Sequence, residues 1–219
     1  MNKERKLLAA GMGLLLLFVV WTLLVQIVDV KPAGAMGTDV GFATVNLWFH
    51  QLTGVHMSMY HITDWLGLVP IGVCMVFGGL GTFQLFTRKS FWKTDRDLRL
   101  LGVYYLAVIA GYLLFEMIPI NYRPVLIEGR LEASYPSSTT LLVLGVMPTL
   151  YFQAMRRMTK GWGRSGICMA AVLFSFFMVA GRLLSGVHWV TDIVGAGLLA
   201  GGLFLLYQAL VLYCDSNKG

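Results

Sequence analysis

Six apolar runs punctuate the chain, near residues 7–28, 61–86, 100–118, 137–155, 165–185 and 190–213, and the segments between them hold most of the charge. Each run is close to the roughly 20 residues that a helix needs to cross a hydrocarbon core about 30 Å thick. Backbone in hydrocarbon has to satisfy its own hydrogen bonds, so all six are predicted to be helices. The pattern therefore predicts an all-α fold, a six-transmembrane-helix bundle. No linker, low-complexity tract or shift of composition divides the chain, so residues 1–219 read as one integral membrane domain. Composition agrees with a lipid solvent, at 57% hydrophobic and only 13% charged residues.

The first run follows the basic leader MNKERK, and Ala33-Gly34-Ala35 resembles a small-residue cleavage site. A secretory signal core is about 7–15 residues long. From Leu7 to Val28 only Thr22 and Gln26 interrupt the apolar character, so a retained anchor is predicted. Cys74, Cys168 and Cys214 lie in or beside the runs, which suggests neither a disulfide framework nor a metal site.

Positive charge alternates between the connecting segments. Lys3, Arg5 and Lys6 precede the first run, and Arg88, Lys89, Lys93, Arg96 and Arg99 separate the second from the third. Arg156, Arg157, Lys160 and Arg164 follow the fourth, and Lys218 is in the tail. By the positive-inside rule these segments, and with them both termini, are expected on the cytoplasmic side. Residues 29–60, 119–136 and the turn from Ser185 to Trp189 then face outward. The net charge of +6 is accounted for by topology, without a nucleic-acid partner.

Candidate chemistry gathers at that outer face. The segment GRLLSGVHWVTD, residues 181–192, sets Arg182, His188 and Asp192 into an otherwise almost uncharged stretch, where ionisable groups are costly and usually functional. A helix beginning near His188 would carry Asp192 one turn along the same face. The carboxylate then holds one ring nitrogen and leaves the other free to attack or to take a proton. Arg123, in Asn121-Tyr122-Arg123-Pro124, follows the third run, and Tyr135-Pro136-Ser137-Ser138-Thr139-Thr140 opens the fourth. Proline followed by hydroxyl residues reads as a helix start, whose free N–H groups and dipole cradle an anion. Arg123 and Arg182 suit phosphate oxygens. With Ser137 and Ser138 they outline a phosphoryl-transfer pocket. No metal ligand set stands out. Residues 41–53, with Phe42, Val45, Phe49 and Leu52 near helical spacing, read as an amphipathic interfacial helix beside the pocket.

The chain resembles the type 2 phosphatidic acid phosphatase superfamily of six-span lipid phosphatases. The family pattern is a lysine, six residues, Arg-Pro; then Pro-Ser-Gly-His; then Ser-Arg, five residues, His, three residues, Asp. Here stand Arg123-Pro124, Pro136-Ser137 and Arg182, His188 and Asp192 at the full spacing of the third motif. The resemblance implies that His188 is the nucleophile, forming a phosphohistidine, and that Asp192 orients it. Arg123 and Arg182 would clamp the phosphate, Ser137 and the Ser138 backbone would complete the cradle, and no cofactor or metal is implied.

Four positions depart from the pattern. Glu116 stands at the first lysine, Thr139 at the histidine of the second motif, Ser138 at its glycine and Gly181 at the serine of the third. The resemblance gives the second histidine the role of protonating the leaving group, which a threonine does not fill. Glu116 is expected to pair with Arg123 or Arg182, and His61, His50 or His56 is a candidate replacement acid. A diphosphate eases the problem, because it expels a phosphate monoester with a second pKa of about 6 rather than an alkoxide. The expected activity is therefore hydrolysis of a polyprenyl diphosphate, such as undecaprenyl diphosphate, or of a lipid phosphate, on the outer face of a bacterial plasma membrane. Two other readings stay open: a catalytically altered protein that binds or transports a phospholipid or lipid carrier, and a lipid phosphotransferase.

Overall fold

The computed structural model describes residues 2–216, so Lys218 of the basic tail lies outside it. Eight α-helices follow one another: α1 (Lys3–Ile27), α2 (Ala43–Thr53), α3 (Met57–Leu66), α4 (Leu68–Arg88), α5 (Arg96–Met117), α6 (Ser138–Arg157), α7 (Trp162–Leu184) and α8 (Val190–Ser216). Among the described residues six helical stretches are long and apolar enough to cross a membrane, with α3 and α4 together forming the second. The chain is an all-α, six-span bundle, as the apolar runs predict.

The second span breaks where its sequence requires. Pro70 has no N–H to offer the carbonyl of Leu66, and Gly67 instead bonds back to both Thr63 O (3.1 Å) and Asp64 O (3.0 Å). The bend sets α3 against α7 and α4 against α5 and α6. The centre of the bundle is α8, which packs on α1, α5 and α6. Its small residues permit close approach: a Cβ at Gly195 would fall 2.6 Å from the ring of buried Tyr135. Outward faces are apolar, with Leu16, Leu23, Met75, Phe83, Val103 and Leu106 exposed, as expected of helices solvated by lipid.

The two ends of the bundle differ. At one end Arg157 bonds Asp95 Oδ2 at 3.0 Å and both oxygens of Asp97 at 2.8 Å, while Arg156 reaches Asp215 at 2.9 Å and Arg88 reaches Asp95 at 2.8 Å. These pairs tie α4, α6 and α8 to the start of α5. Hydrogen bonding from Gln84, with Arg88 and Arg157 adding to it, holds the Asp95 carboxyl well below the usual carboxylate range. The opposite end carries α2, the segment from 118 to 137 and the α7–α8 turn.

The amphipathic helix expected at 41–53 is α2, but Asn46 of its polar side faces inward. Asn46 is buried and donates to Gly41 O (2.8 Å) and Thr191 Oγ1 (3.0 Å), whereas Val45, Trp48 and Leu52 are exposed. The segment after it is pinned to the α7–α8 turn by His56 N donating to Ser185 O at 2.9 Å. Gly186 allows this approach: its φ is +70°, and a Cβ there would overlap Gly54 O.

Candidate active site

Three pieces of chain build the site. The first is a hairpin over the end of the bundle, closed by Ile127 and Arg130 bonding each other's backbone around Glu128 and Gly129, both at positive φ. Glu-Gly at such a turn fits the I′ geometry that joins two twisted strands in register. Arg123 N donates to Glu132 O and Ser134 N to Asn121 O along it, which fixes Arg123 over the bundle. The second piece is the start of α6, where Ser137 N donates to Asp192 O at 3.2 Å. The third is the α7–α8 turn, anchored to the hairpin by Trp189 Nε1 donating to Tyr122 O at 2.8 Å.

His188 and Asp192 sit together, though not on one helix as expected. Helix α8 begins at Val190, so His188 precedes it. Asp192 reaches back instead, and its Oδ2 accepts the Trp189 N–H at 2.9 Å. This is the backward half of a capping box. The same oxygen lies 3.5 Å from His188 Nδ1, with both side chains essentially inaccessible to solvent. Nε2 is left without a partner. Burial first, then the charges of Arg123 and Arg182, hold the imidazole well below its ordinary pKa, so His188 is neutral at pH 7. Asn121 and Ser134 lie beside the Asp192 carboxylate.

Arg123 and Arg182 both approach the ring of Tyr60. The guanidinium of Arg182 lies 4.9 Å, and that of Arg123 5.8 Å, from the centroid of Tyr60. Arg182 is 1% exposed, donating to Asp64 Oδ1 (3.2 Å), to Tyr60 O and Thr63 Oγ1 (3.4 Å each) and to Thr139. Arg123 Nε lies 3.1 Å from Glu132 Oε2. Arg182 Nε, Arg123 Nη1, Asn121 Nδ2 and both His188 nitrogens are buried without an aligned hydrogen bond. Leaving such groups unmade costs about 1–3 kcal/mol each. A concentration of unmade donors beside a neutral imidazole is what binding an oxyanion requires.

A cavity of about 350 Å³ opens onto this cluster, lined by Arg123, His188, Ser138, Ser134, Glu116, Arg130 and Glu132. Next to it, sharing Tyr112 and Ser138, a second cavity of about 320 Å³ runs between α4, α5 and α6. Asp64 and Thr139 stand in its wall with Leu68, Ile71, Val108, Ile109, Leu141 and Leu142. Ser137 is fully buried and donates to Thr140 Oγ1 at 3.0 Å, so its hydroxyl stands behind the cavity.

Two expectations are corrected. The arginines pair with Glu132 and Asp64, not with Glu116, which is exposed on the cavity wall. No loop histidine stands in for the absent second one: His61 is exposed against Tyr60, His50 packs 5.6 Å from Trp189 and His56 bonds Thr53 O. Thr139 is a ligand of Arg182 rather than a proton donor. Sequence reading passed over Tyr60, Asp64, Glu132 and Ser134. Asp64 had a signal, being an acid inside an apolar run. Glu132 had none. Among the described residues no group of three or more His, Cys, Asp or Glu is placed to hold a metal ion.

The comparison that decides the fold is with the first transmembrane PAP2-type phosphatidylglycerolphosphate phosphatase from Bacillus subtilis. Its crystal structure superposes with a TM-score of 0.56, covering 95% of this chain and 97% of that one, at 19% identity. This chain has the PAP2 fold. No family model matches the sequence. A cycloheximide resistance protein of Candida maltosa is 26% identical over 129 residues, which is 50% of this chain and 22% of that protein. The chain thus spans about a fifth of the length of that relative. Six apolar spans make this chain a multi-pass membrane protein.

Proposed function

We propose that the protein is a lipid diphosphatase of the outer membrane face, acting through a phosphohistidine at His188. The observation that carries this is the set of unpartnered buried donors around a neutral imidazole whose Nδ1 is turned to Asp192. Nε2 attacks the terminal phosphorus, a P–N bond forms, and the P–O bond to the departing lipid monophosphate breaks. Asp192 stabilises the charge that develops on the ring, and Arg123 and Arg182 take the phosphoryl oxygens. Water then attacks the phosphohistidine, releasing phosphate and restoring the imidazole.

Among the described residues His188 is the one histidine lining either cavity, and the substrate choice follows from that. With no second imidazole to protonate an alkoxide, the reaction favours a leaving group that departs as a phosphate monoester. The apolar cavity beside the site suits the chain of such a lipid. The test is phosphate release by purified protein from a polyprenyl diphosphate and from the matched monophosphate, with at least a tenfold preference expected for the diphosphate. Glu116→Lys combined with Thr139→His is expected to shift that preference toward the monoester. An inactive wild type alongside an active double variant would replace this reading with lipid binding without turnover, the reading that Glu116 and Thr139 themselves favour. Release of phosphate only when an acceptor lipid is added would make the protein a phosphotransferase.

The basic segments at the far end support an outward-facing site in a plasma membrane. In a cysteine-free background, Arg130→Cys is expected to react with a membrane-impermeant thiol reagent in intact cells, and Trp92→Cys only after lysis. The reverse pattern would place the site in the cytoplasm.

A further inference from the structure

A third cavity lies at the end of the bundle remote from His188. It is a groove of about 370 Å³ between α4 and α5. Its floor includes buried Leu98 and Leu101, and its walls include Gly78 and Gly81 of α4 and Gly102 of α5. A Cβ at any of these three glycines would meet nothing within 4 Å, so the space above them is open.

The mouth of the groove is polar. Thr94 is 6% exposed and its Oγ1 has no partner; the Nε of Arg99 is likewise buried and unpartnered. The Arg99 guanidinium lies against two rings that meet edge to face, 5.3 Å from Phe91 and 5.1 Å from Trp92. Both rings are themselves exposed, the position of aromatic residues at a membrane interface. A hydroxyl and a guanidinium N–H lining one cavity, both unpartnered, call for an acceptor with several oxygens. The start of α5 adds its positive dipole end. Lys89, Lys93 and Arg96 stand nearby and enter no ion pair among the described residues, whereas Arg88 is taken up by Asp95. Such cations are attracted to an anionic leaflet.

We propose that this groove binds an anionic phospholipid of that leaflet, its phosphate on Arg99 and Thr94 and one acyl chain over Gly78, Gly81 and Gly102. Free phosphate does not use the apolar floor, and a second copy of the chain packing on the glycines does not supply the acceptor that the mouth requires. The site is separate from the His188 cavity and independent of the reaction proposed there.

Native mass spectrometry of the full-length protein in detergent, titrated with phosphatidylglycerol, phosphatidylcholine and inorganic phosphate, tests this. Phosphatidylglycerol is expected to bind at least tenfold more tightly than phosphatidylcholine, with no displacement by inorganic phosphate. Arg99→Gln and Gly81→Leu are each expected to weaken it about tenfold. Gly81→Leu fills open space, so a folded, monodisperse variant is expected. Unaltered affinity in both groove variants overturns the proposal. So does full competition by inorganic phosphate, or a dimer that Gly81→Leu dissolves.

Discussion

His188→Ala is expected to lower phosphate release by on the order of 10⁴-fold or more, leaving the six-span fold intact. The side chain is 3% exposed, and its truncation leaves Asp192 Oδ2 the N–H of Trp189 as a donor. Asp192→Asn is expected to cost on the order of 10³-fold through loss of ring orientation and of imidazolium stabilisation. Initial rates on a lipid diphosphate, with thermal unfolding in detergent as a control for folding, check both. Activity of His188→Ala within tenfold of the wild type would remove His188 from the mechanism.

The same residue sets a pH dependence. Because the folded-state pKa of His188 lies well below the ordinary value of about 6.5, the folded protein keeps this imidazole neutral to lower pH than an exposed histidine would be. The acidic limb of kcat/KM is therefore expected below pH 6.5. The stability sign follows from proton binding: below pH 6.5 the unfolded chain binds a proton that the folded chain does not. The contribution is fully present above that pH and is lost as pH falls toward the folded pKa. Unfolding midpoints measured between pH 8 and 5 should fall for the wild type more than for His188→Ala, where this source of pH dependence is gone.

How far the sequence reached can be read residue by residue. The apolar runs marked all six spans because hydrocarbon imposes one rule on every backbone, and the ends fell within a few residues of those observed. The break at Gly67 was written in Pro70 but hidden by an unbroken hydropathy signal. The spacing of Arg182, His188 and Asp192 pointed to their grouping, although the geometry is a capping turn and not a helix face. The partners of the arginines were out of reach. Glu132 meets Arg123 across a hairpin whose turn is set by Glu128 and Gly129, and Asp64 meets Arg182 across α3 and α7, contacts that no local period encodes. The inward Asn46 of α2 inverted a helical wheel that assumed water on the polar side; lipid on the outside reverses that assumption.

Replacing either arginine is expected to have the next largest effect. Arg182 and Arg123 both lie against Tyr60 with buried, unpartnered N–H groups, Nε on the first and Nη1 on the second. Lysine supplies charge at both positions but not a planar fork, so Arg182→Lys and Arg123→Lys are each expected to lower kcat about 10²-fold or more. That corresponds to about 2.7 kcal/mol of transition-state stabilisation lost. Asp64 and Glu132 act through the arginines. Asp64→Asn keeps a side-chain oxygen near Arg182 and is expected to cost less than tenfold, expressed in kcat more than in KM. Asp64→Asn combined with Arg182→Lys should then cost less than the product of the single effects, because the two residues form one unit. Measured rates for the four proteins settle it: strict multiplicativity would mean that Asp64 does not position Arg182, and wild-type kcat in both lysine variants would mean that the arginines do not touch the reacting phosphoryl group.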